Sequence, residues 1–424
     1  MGELYTSSPM FDLKTERKIV VLLCAVNFAN VLDFMMVMPL GPDFSKALGI
    51  PSSHLGWIGG SYTAAASVAG VLGSFFLDRF DRRNALAISI LGLALATLVA
   101  GFAYDFSSLL MARIVAGIFG GPAASLAFSI VSDITPVSRR GRAVGAVMSS
   151  FSLASIIGVP IGLELARVGS WNTPFFAVGG VMLIMNLLCY TMIPPITGHL
   201  KHRDLSLSSF QLTLVLFSKS EVWFSYFMIA ASMFAAFMMI PNFSAYFQFN
   251  LDFPRDKLGL LYFGGGLVSF FLMQISGRMV DRFSATSVGI VATLLLLITL
   301  YGGYYRFPPL FSHFTIFTGF MAAMAIRGVA VGSLASRVPD SATRARFMSF
   351  QSAVQHASSA LGAFFSSLVL SETSSGSLLG MPNLALCSMT ATLFIPIAII
   401  LVERKVRTKE LQEFSTIPMG LPEV

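Results

Sequence analysis

Three charged residues stand inside otherwise apolar stretches of this chain: Asp33, Arg113 and Arg327. A charge in hydrocarbon costs roughly 3 kcal/mol on insertion scales unless it meets a partner or a wet cavity. A buried carboxylate beside an arginine changes its protonation when the arginine is displaced or when the site opens to water. Asp33 with Arg113 is therefore a candidate proton site. Asn27, Asn30 and Asp33 follow one another at intervals of three, so they share about 120° of one helix face. Such a face is expected to line a central cavity with room for a substrate. Arg327 has no carboxylate in its own half of the chain. Two readings stand for it. It contacts an anionic or hydrogen-bond-accepting part of a substrate, or it hydrogen-bonds backbone carbonyls and Gln351 or Gln355.

The elements that must carry these residues are membrane spans. The chain is 55% hydrophobic and 12% charged, against about 25% charged in a soluble domain. Apolar runs of roughly 20 residues recur, the length that crosses about 30 Å of hydrocarbon. Twelve are legible: 19–41, 54–77, 84–103, 107–131, 142–165, 173–193, 221–249, 257–280, 284–303, 311–335, 344–369 and 380–402. They are too long and too uniformly apolar for barrel strands, so they read as helices. Of the 28 Lys and Arg, 21 fall on the side shared by both termini, five on the other, and two inside spans. That bias places both termini in the cytoplasm. It also accounts for the net charge of +7 without a nucleic-acid partner, because the basic residues lie in short loops and not in one patch.

Depth decides whether Asp33 and Arg113 can meet. Asp33 lies about 12 Å below the outer end of the first span and Arg113 about 9 Å below that of the fourth, at about 1.5 Å per residue. They occupy nearly one layer. The seventh span is aromatic and broken by Pro241. Its Asn242 and Tyr246 are predicted to face the cavity, among methionines and rings that suit varied amphipathic molecules. Cys24, Cys189 and Cys387 are far apart and read as small apolar residues, with neither a disulfide nor a metal implied.

The chain repeats itself. Phe34-Met35-Met36-Val37-Met38-Pro39 returns as Phe237-Met238-Met239-Ile240-Pro241, and Asp78-Arg79-Phe80 as Asp281-Arg282-Phe283, at an offset of 203 residues. Two parallel repeats are one way to build a transporter whose substrate sits between the halves. The expected organisation is a six-helix bundle over 1–195, a cytoplasmic linker over 196–219, a second bundle over 220–403 and a cytoplasmic tail over 404–424.

The loop from Ser74 through Asp78-Arg79-Phe80-Asp81-Arg82-Arg83, and its partner Gly277-Arg278-Met279-Val280-Asp281-Arg282, resemble the signature loop of the major facilitator superfamily, Gly-x-x-x-Asp-Arg-x-Gly-Arg-Arg. Ser74 and Asp81 replace two of its glycines. The run from Arg113 to Gly117 resembles that superfamily's span-4 motif, and Gly158-Val159-Pro160-Ile161-Gly162 partly resembles its antiporter motif. The resemblance covers the whole chain. It implies an all-α fold of twelve membrane helices in two six-helix repeats, closest to the drug:proton antiporter and sugar-efflux branch. In the loops a carboxylate at a helix end accepts charge-assisted bonds from a neighbouring helix or an Arg, latching the halves in one state. Asp78, Arg79, Arg82, Arg83, Gly277, Asp281 and Arg282 are the expected gating residues.

The expectation is a monomeric inner-membrane carrier, powered by the proton gradient with no cofactor, exporting a small amphipathic molecule by alternating access. The alternative is proton-coupled uptake of an organic anion such as a metabolite or siderophore. A membrane-embedded enzyme or receptor would need a catalytic constellation or an extramembrane domain, and no nucleotide, metal or nucleophile–base motif stands out.

Overall fold

The computed structural model describes residues 12–197, 209–340 and 343–415. They fold into twelve long helices. The first half holds α1 (Leu13–Met36), α2 (Leu55–Phe76), α3 (Arg82–Gly101), α4 (Phe106–Ile134), α5 (Arg139–Val168) and α6 (Thr173–Met192). The second half holds α7 (Ser220–Asn250), α8 (Leu258–Arg282), α9 (Ala285–Tyr305), α10 (His313–Arg337), α11 (Arg344–Val369) and α12 (Met381–Ser415). Among the described residues, eleven of these are long and apolar enough to cross a membrane. The twelfth, α11, has the length but carries Gln351, Gln355 and His356 amid many serines.

Local chemistry fixes many of the ends. Asp12, Asp81, Asp105, Ser284 and Ser312 each accept a bond from a backbone amide in the first turn that follows, satisfying donors that a helix start leaves open. Pro241 interrupts α7, which tightens over Ile240–Asn242 before running on, as a ring without an N–H requires. The α12 helix passes residue 403 unbroken and reaches Ser415, a helical start to the expected cytoplasmic tail. Two departures from the sequence reading appear. A short helix, Ser209–Phe217, occupies part of the expected linker. Between α11 and α12 a two-stranded antiparallel ribbon pairs β1 (Ser371–Glu372) with β2 (Leu378–Leu379), Ser371 opposite Leu379.

Packing repeats with the sequence. Helix α4 packs on α2 and α3, and α10 on α8 and α9; α1 packs on α5 and α6, and α7 on α11 and α12. Two seams join the halves, α2 with α11 and α5 with α8. The first seam depends on glycine. A Cβ on Gly56 would stand 2.1 Å from the Ala363 carbonyl oxygen, and one on Gly60 2.6 Å from the Phe364 ring. Small residues of this kind are what let membrane helices approach closely. Trp57 stacks on Phe364 at 4.8 Å, and the Ser67 hydroxyl donates to the Ala353 carbonyl at 2.9 Å. In the second seam α8 packs mainly on the 154–168 portion of α5, with Gly266 against Ile156.

Candidate functional site

The face where α1 begins and α12 ends is the terminal face, and the opposite one is the distal face. Asp33 is one turn from the distal end of α1, and Arg113 lies two turns into α4 from the same side. The structure brings them together. Arg113 Nη1 donates to Asp33 Oδ2 at 3.0 Å and to Oδ1 at 3.2 Å, and both side chains are fully buried. Two further residues complete the site. Thr97 of α3 donates its hydroxyl to Asp33 Oδ1 at 2.8 Å. The Tyr62 ring of α2 lies against the Arg113 guanidinium at 4.7 Å, and its hydroxyl donates to Asn30 Oδ1 at 3.0 Å. A cation over an aromatic face adds stabilisation that grows as water is excluded. Neither Thr97 nor Tyr62 was legible in sequence. Thr97 lies in a run that otherwise reads as apolar, and Tyr62 looks like any interfacial aromatic.

The polar face of α1 needs a correction. It was expected to look into a cavity, but it is turned into the first bundle. Asn27 Nδ2 donates to the Val147 carbonyl of α5 and Asn30 Nδ2 to the Gly120 carbonyl of α4, each at 3.0 Å. Periodicity identified a face that avoids lipid; it did not say which neighbour would satisfy it. In this state Asn27 and Asn30 are bonded to helix backbones and are buried.

The second half is chemically different, and its buried charge lies nearer the terminal face. Arg327 of α10 is fully buried. Its Nη2 donates to the Ser232 carbonyl of α7 at 3.0 Å and sits 2.7 Å from Met324 Sδ. Nε and Nη1 have no partner, and neither has the buried Oε1 of Gln351. No bond joins Arg327 to Gln351 or to Gln355. Asn242 is buried at the α7 break and donates to the Met238 carbonyl one turn back, leaving its own Oδ1 open. Tyr246 donates to the Gly303 carbonyl of α9 at 3.1 Å. Tyr246 is therefore turned toward α9, where its ring also lies 5.2 Å from that of Tyr304.

The signature loops are seen in part. The Asp78 side chain lies outside the described residues, and Arg79 is exposed. Arg82 pairs with Asp133 at the terminal end of α4, and Arg83 lies over the Tyr190 ring at 4.9 Å. In the second loop Asp281 and Arg282 are exposed and Gly277 has open space around it. The expected latch through Asp281 is not engaged in this state, since no bond to that carboxylate is present among the described residues. Asp81, which stands where the signature has glycine, caps α3 through the Arg83 amide. It also accepts from the Ile196 amide at 2.9 Å, which ties the loop to the chain leaving α6.

On the distal face the halves are fastened by residues the sequence reading passed over. Arg255, before α8, grips Asp43, in the short helix Gly41–Leu48 after α1. Nε donates to Oδ1 at 2.8 Å and Nη2 to Oδ2 at 2.7 Å, with a further bond from Nη2 to the Leu163 carbonyl of α5 at 3.3 Å. Glu372 accepts from the Ser52 amide, and the Lys46 ammonium sits 5.1 Å from the centre of the Phe249 ring. All three contacts cross between the halves.

Two matching bundles, joined along two seams and holding buried charges inside their helices, have the architecture of a membrane carrier. The Major Facilitator Superfamily pattern matches residues 23–363, and the chain belongs to that family. It is 20% identical over 345 residues to the uncharacterized MFS-type transporter YhcA of Bacillus subtilis, covering 68% of this chain and 64% of that one. It is 27% identical over 176 residues to the probable sulfoacetate transporter SauU of Cupriavidus necator, 42% of this chain and 41% of that one. It is 24% identical over 173 residues to multidrug resistance protein 2 of Bacillus subtilis, 41% of this chain and 43% of that one. The matches thus span less than two thirds of each relative. Among solved structures, a bacterial homolog of the human lysosomal transporter Spinster, inward-facing and occupied, superposes with a TM-score of 0.72 at 14% identity, covering 93% of this chain and 98% of that one. A D-xylose-proton symporter superposes at 0.70 with 18% identity, covering 91% and 97%. The fold is the twelve-helix fold of these transporters, and the chain is a multi-pass membrane transporter, not an enzyme.

Proposed function

We propose that this chain exports a small amphipathic organic molecule from the cytoplasm in exchange for protons. The observation that carries the proposal is the buried Asp33–Arg113 pair with Thr97. Asp33 is fully buried, and its charge is balanced by Arg113. A proton on Asp33 cancels that balance and leaves Arg113 uncompensated, so protonation and helix arrangement are coupled through one contact. The arginine then moves to new partners, and α1 and α4 shift with it. The distal ties through Asp43, Arg255 and Glu372 hold one end of the alternating cycle, and the terminal loops with Asp78 and Asp281 hold the other. No cofactor is needed beyond the proton gradient. The protein sits in the cytoplasmic membrane as a monomer with both termini inside.

The family covers both directions of transport: similar proteins include a probable sugar efflux transporter and a D-xylose-proton symporter. A second reading, proton-coupled uptake of an organic anion, draws support from the lack of a counter-charge for Arg327. The deciding experiment compares metabolites inside and outside cells that contain or lack the protein, with and without an uncoupler. Accumulation of a compound in the medium that collapses with the uncoupler supports proton-driven export, and depletion of the medium supports uptake. The compound so found is then moved in proteoliposomes. Transport by Asp33→Asn that remains fully driven by a pH gradient refutes the assignment of Asp33.

A further inference from the structure

The two intramembrane arginines are treated oppositely by the fold. Arg113 has a carboxylate, a backbone carbonyl at 3.5 Å and an aromatic face. Arg327 is equally buried, yet it has one carbonyl, a thioether and two nitrogens with nothing to donate to. No aspartate or glutamate pairs with it among the described residues. A buried guanidinium left this way is costly. Arg113 leaves only its Nε open and has its charge balanced by Asp33, whereas Arg327 has two open nitrogens and no carboxylate, so its missing partner arrives from outside the fold.

Gln351 supports the same conclusion from a second helix. Its Oε1 is buried without a donor. Arg327 stands ten residues before the end of α10 and Gln351 seven residues after the start of α11, so both lie roughly 10–15 Å below the terminal face at about 1.5 Å per residue. An open cationic donor and an open neutral acceptor therefore share one layer of the second half. A molecule that offers oxyanion acceptors and one hydroxyl or N–H would satisfy both. Charge arithmetic sets its valence. Among the described residues Asp33 and Arg113 cancel, which leaves Arg327 as a buried charge without a counter-ion, and a monoanion neutralises it where a dianion would overshoot.

We infer that the cargo is an organic monoanion, a carboxylate or sulfonate, and that Arg327 is the residue that takes its charged oxygens. The inference rests on the carrier function; it names the chemical class of the cargo and holds for export or uptake. Met324, whose flexible side chain lies against Nη2, is the group such an anion displaces.

The test uses the purified full-length protein in detergent and follows its melting temperature. The probes are benzoate, 4-hydroxybenzoate, indole-3-acetate and benzenesulfonate, each paired with its neutral amide or sulfonamide, with phthalate as the dianion. The variants are Arg327→Met and Arg327→Lys. At least one monoanion is expected to raise the melting temperature of the wild type while its neutral partner does not. Arg327→Met should lose that shift, with affinity falling at least about tenfold, the equivalent of one charge-assisted hydrogen bond. Arg327→Lys, which keeps the charge, should retain part of it. Without ligand, Arg327→Met should melt no lower than wild type, because it removes an uncompensated charge. The inference is overturned if no monoanion in the set shifts the wild type, if neutral partners act equally, or if Arg327→Met keeps the shift. It is also overturned if Arg327→Met melts lower than wild type without ligand, the behaviour of a structural arginine. A carrier of neutral cargo would answer to the amides instead, so this outcome separates a wrong cargo class from a wrong carrier.

Discussion

Removing the Asp43–Arg255 clasp is predicted to release the distal face. The two side chains share three contacts of 2.7 to 3.1 Å, and each is 24% exposed. Fully exposed ion pairs contribute about 0.2–1 kcal/mol, and buried charge-assisted bonds about 1.5–3 kcal/mol. A pair sheltered to this degree and held by two nitrogens falls between them, at about 1–2 kcal/mol. That shifts an equilibrium between closed and open distal faces by a factor of about 5–30. Asp43→Asn keeps the shape and removes the charge. The assay is pulsed electron-spin distance measurement between labels at Ser170 and Leu310, both exposed on distal loops of opposite halves, with Cys24, Cys189 and Cys387 replaced. The variant should transfer population from the short to the long distance. The double variant with Arg255→Ala should add little, and the exchanged pair Asp43→Arg with Arg255→Asp should recover the short distance. Unchanged distributions in Asp43→Asn, or additive effects of the two single changes, would refute the reasoning.

Asp33→Asn should lower the melting temperature, since breaking a fully buried pair by removing one partner costs about 3–5 kcal/mol; Arg113→Gln in the same chain should restore much of it, and a double variant no more stable than Asp33→Asn would contradict this. On the terminal face, Asp340 accepts bonds from Lys219 and from Lys409 of α12, and these hold its carboxyl below its ordinary value of 3.8. A depressed carboxyl lends its stabilisation above the ordinary value and loses it as pH falls through the lowered one. The end of α12 should therefore undock below about pH 4, read as quenching of a fluorophore at the exposed Leu411. The acid step should be absent in Asp340→Asn and should weaken in salt, because the group is partly exposed.

What was legible in the sequence is tied to the physics of hydrocarbon. Apolar run length gave the twelve helices, and the loop basic residues gave an expected topology. Counting residues from helix ends placed Asp33 and Arg113 in one layer, and the structure shows them in contact. The rest depends on which helix stands beside which. Asn27 and Asn30 share a face with Asp33, but one sequence does not reveal that carbonyls of α4 and α5 receive them. Asp43 and Arg255 are 212 residues apart, and each looks like an ordinary solvated loop charge until the halves close. Asp81 read as a departure from a motif, and it proved to be a cap and a tether. Helix α11 runs over its expected bounds of 344–369, even though it alone of the twelve is not apolar enough to count as a span by composition among the described residues.

That polarity bears on how the chain is made. A helix with two glutamines, a histidine and a row of serines partitions poorly into lipid by itself. Helix α2 precedes α11 in the chain, and its Gly56 and Gly60 form the groove in which α11 sits. The second half would then complete its insertion against the first, which acts as its own chaperone in the membrane. A chain cut before α11 would leave that groove bare, a mark by which quality-control proteases could tell an unfinished carrier from a finished one.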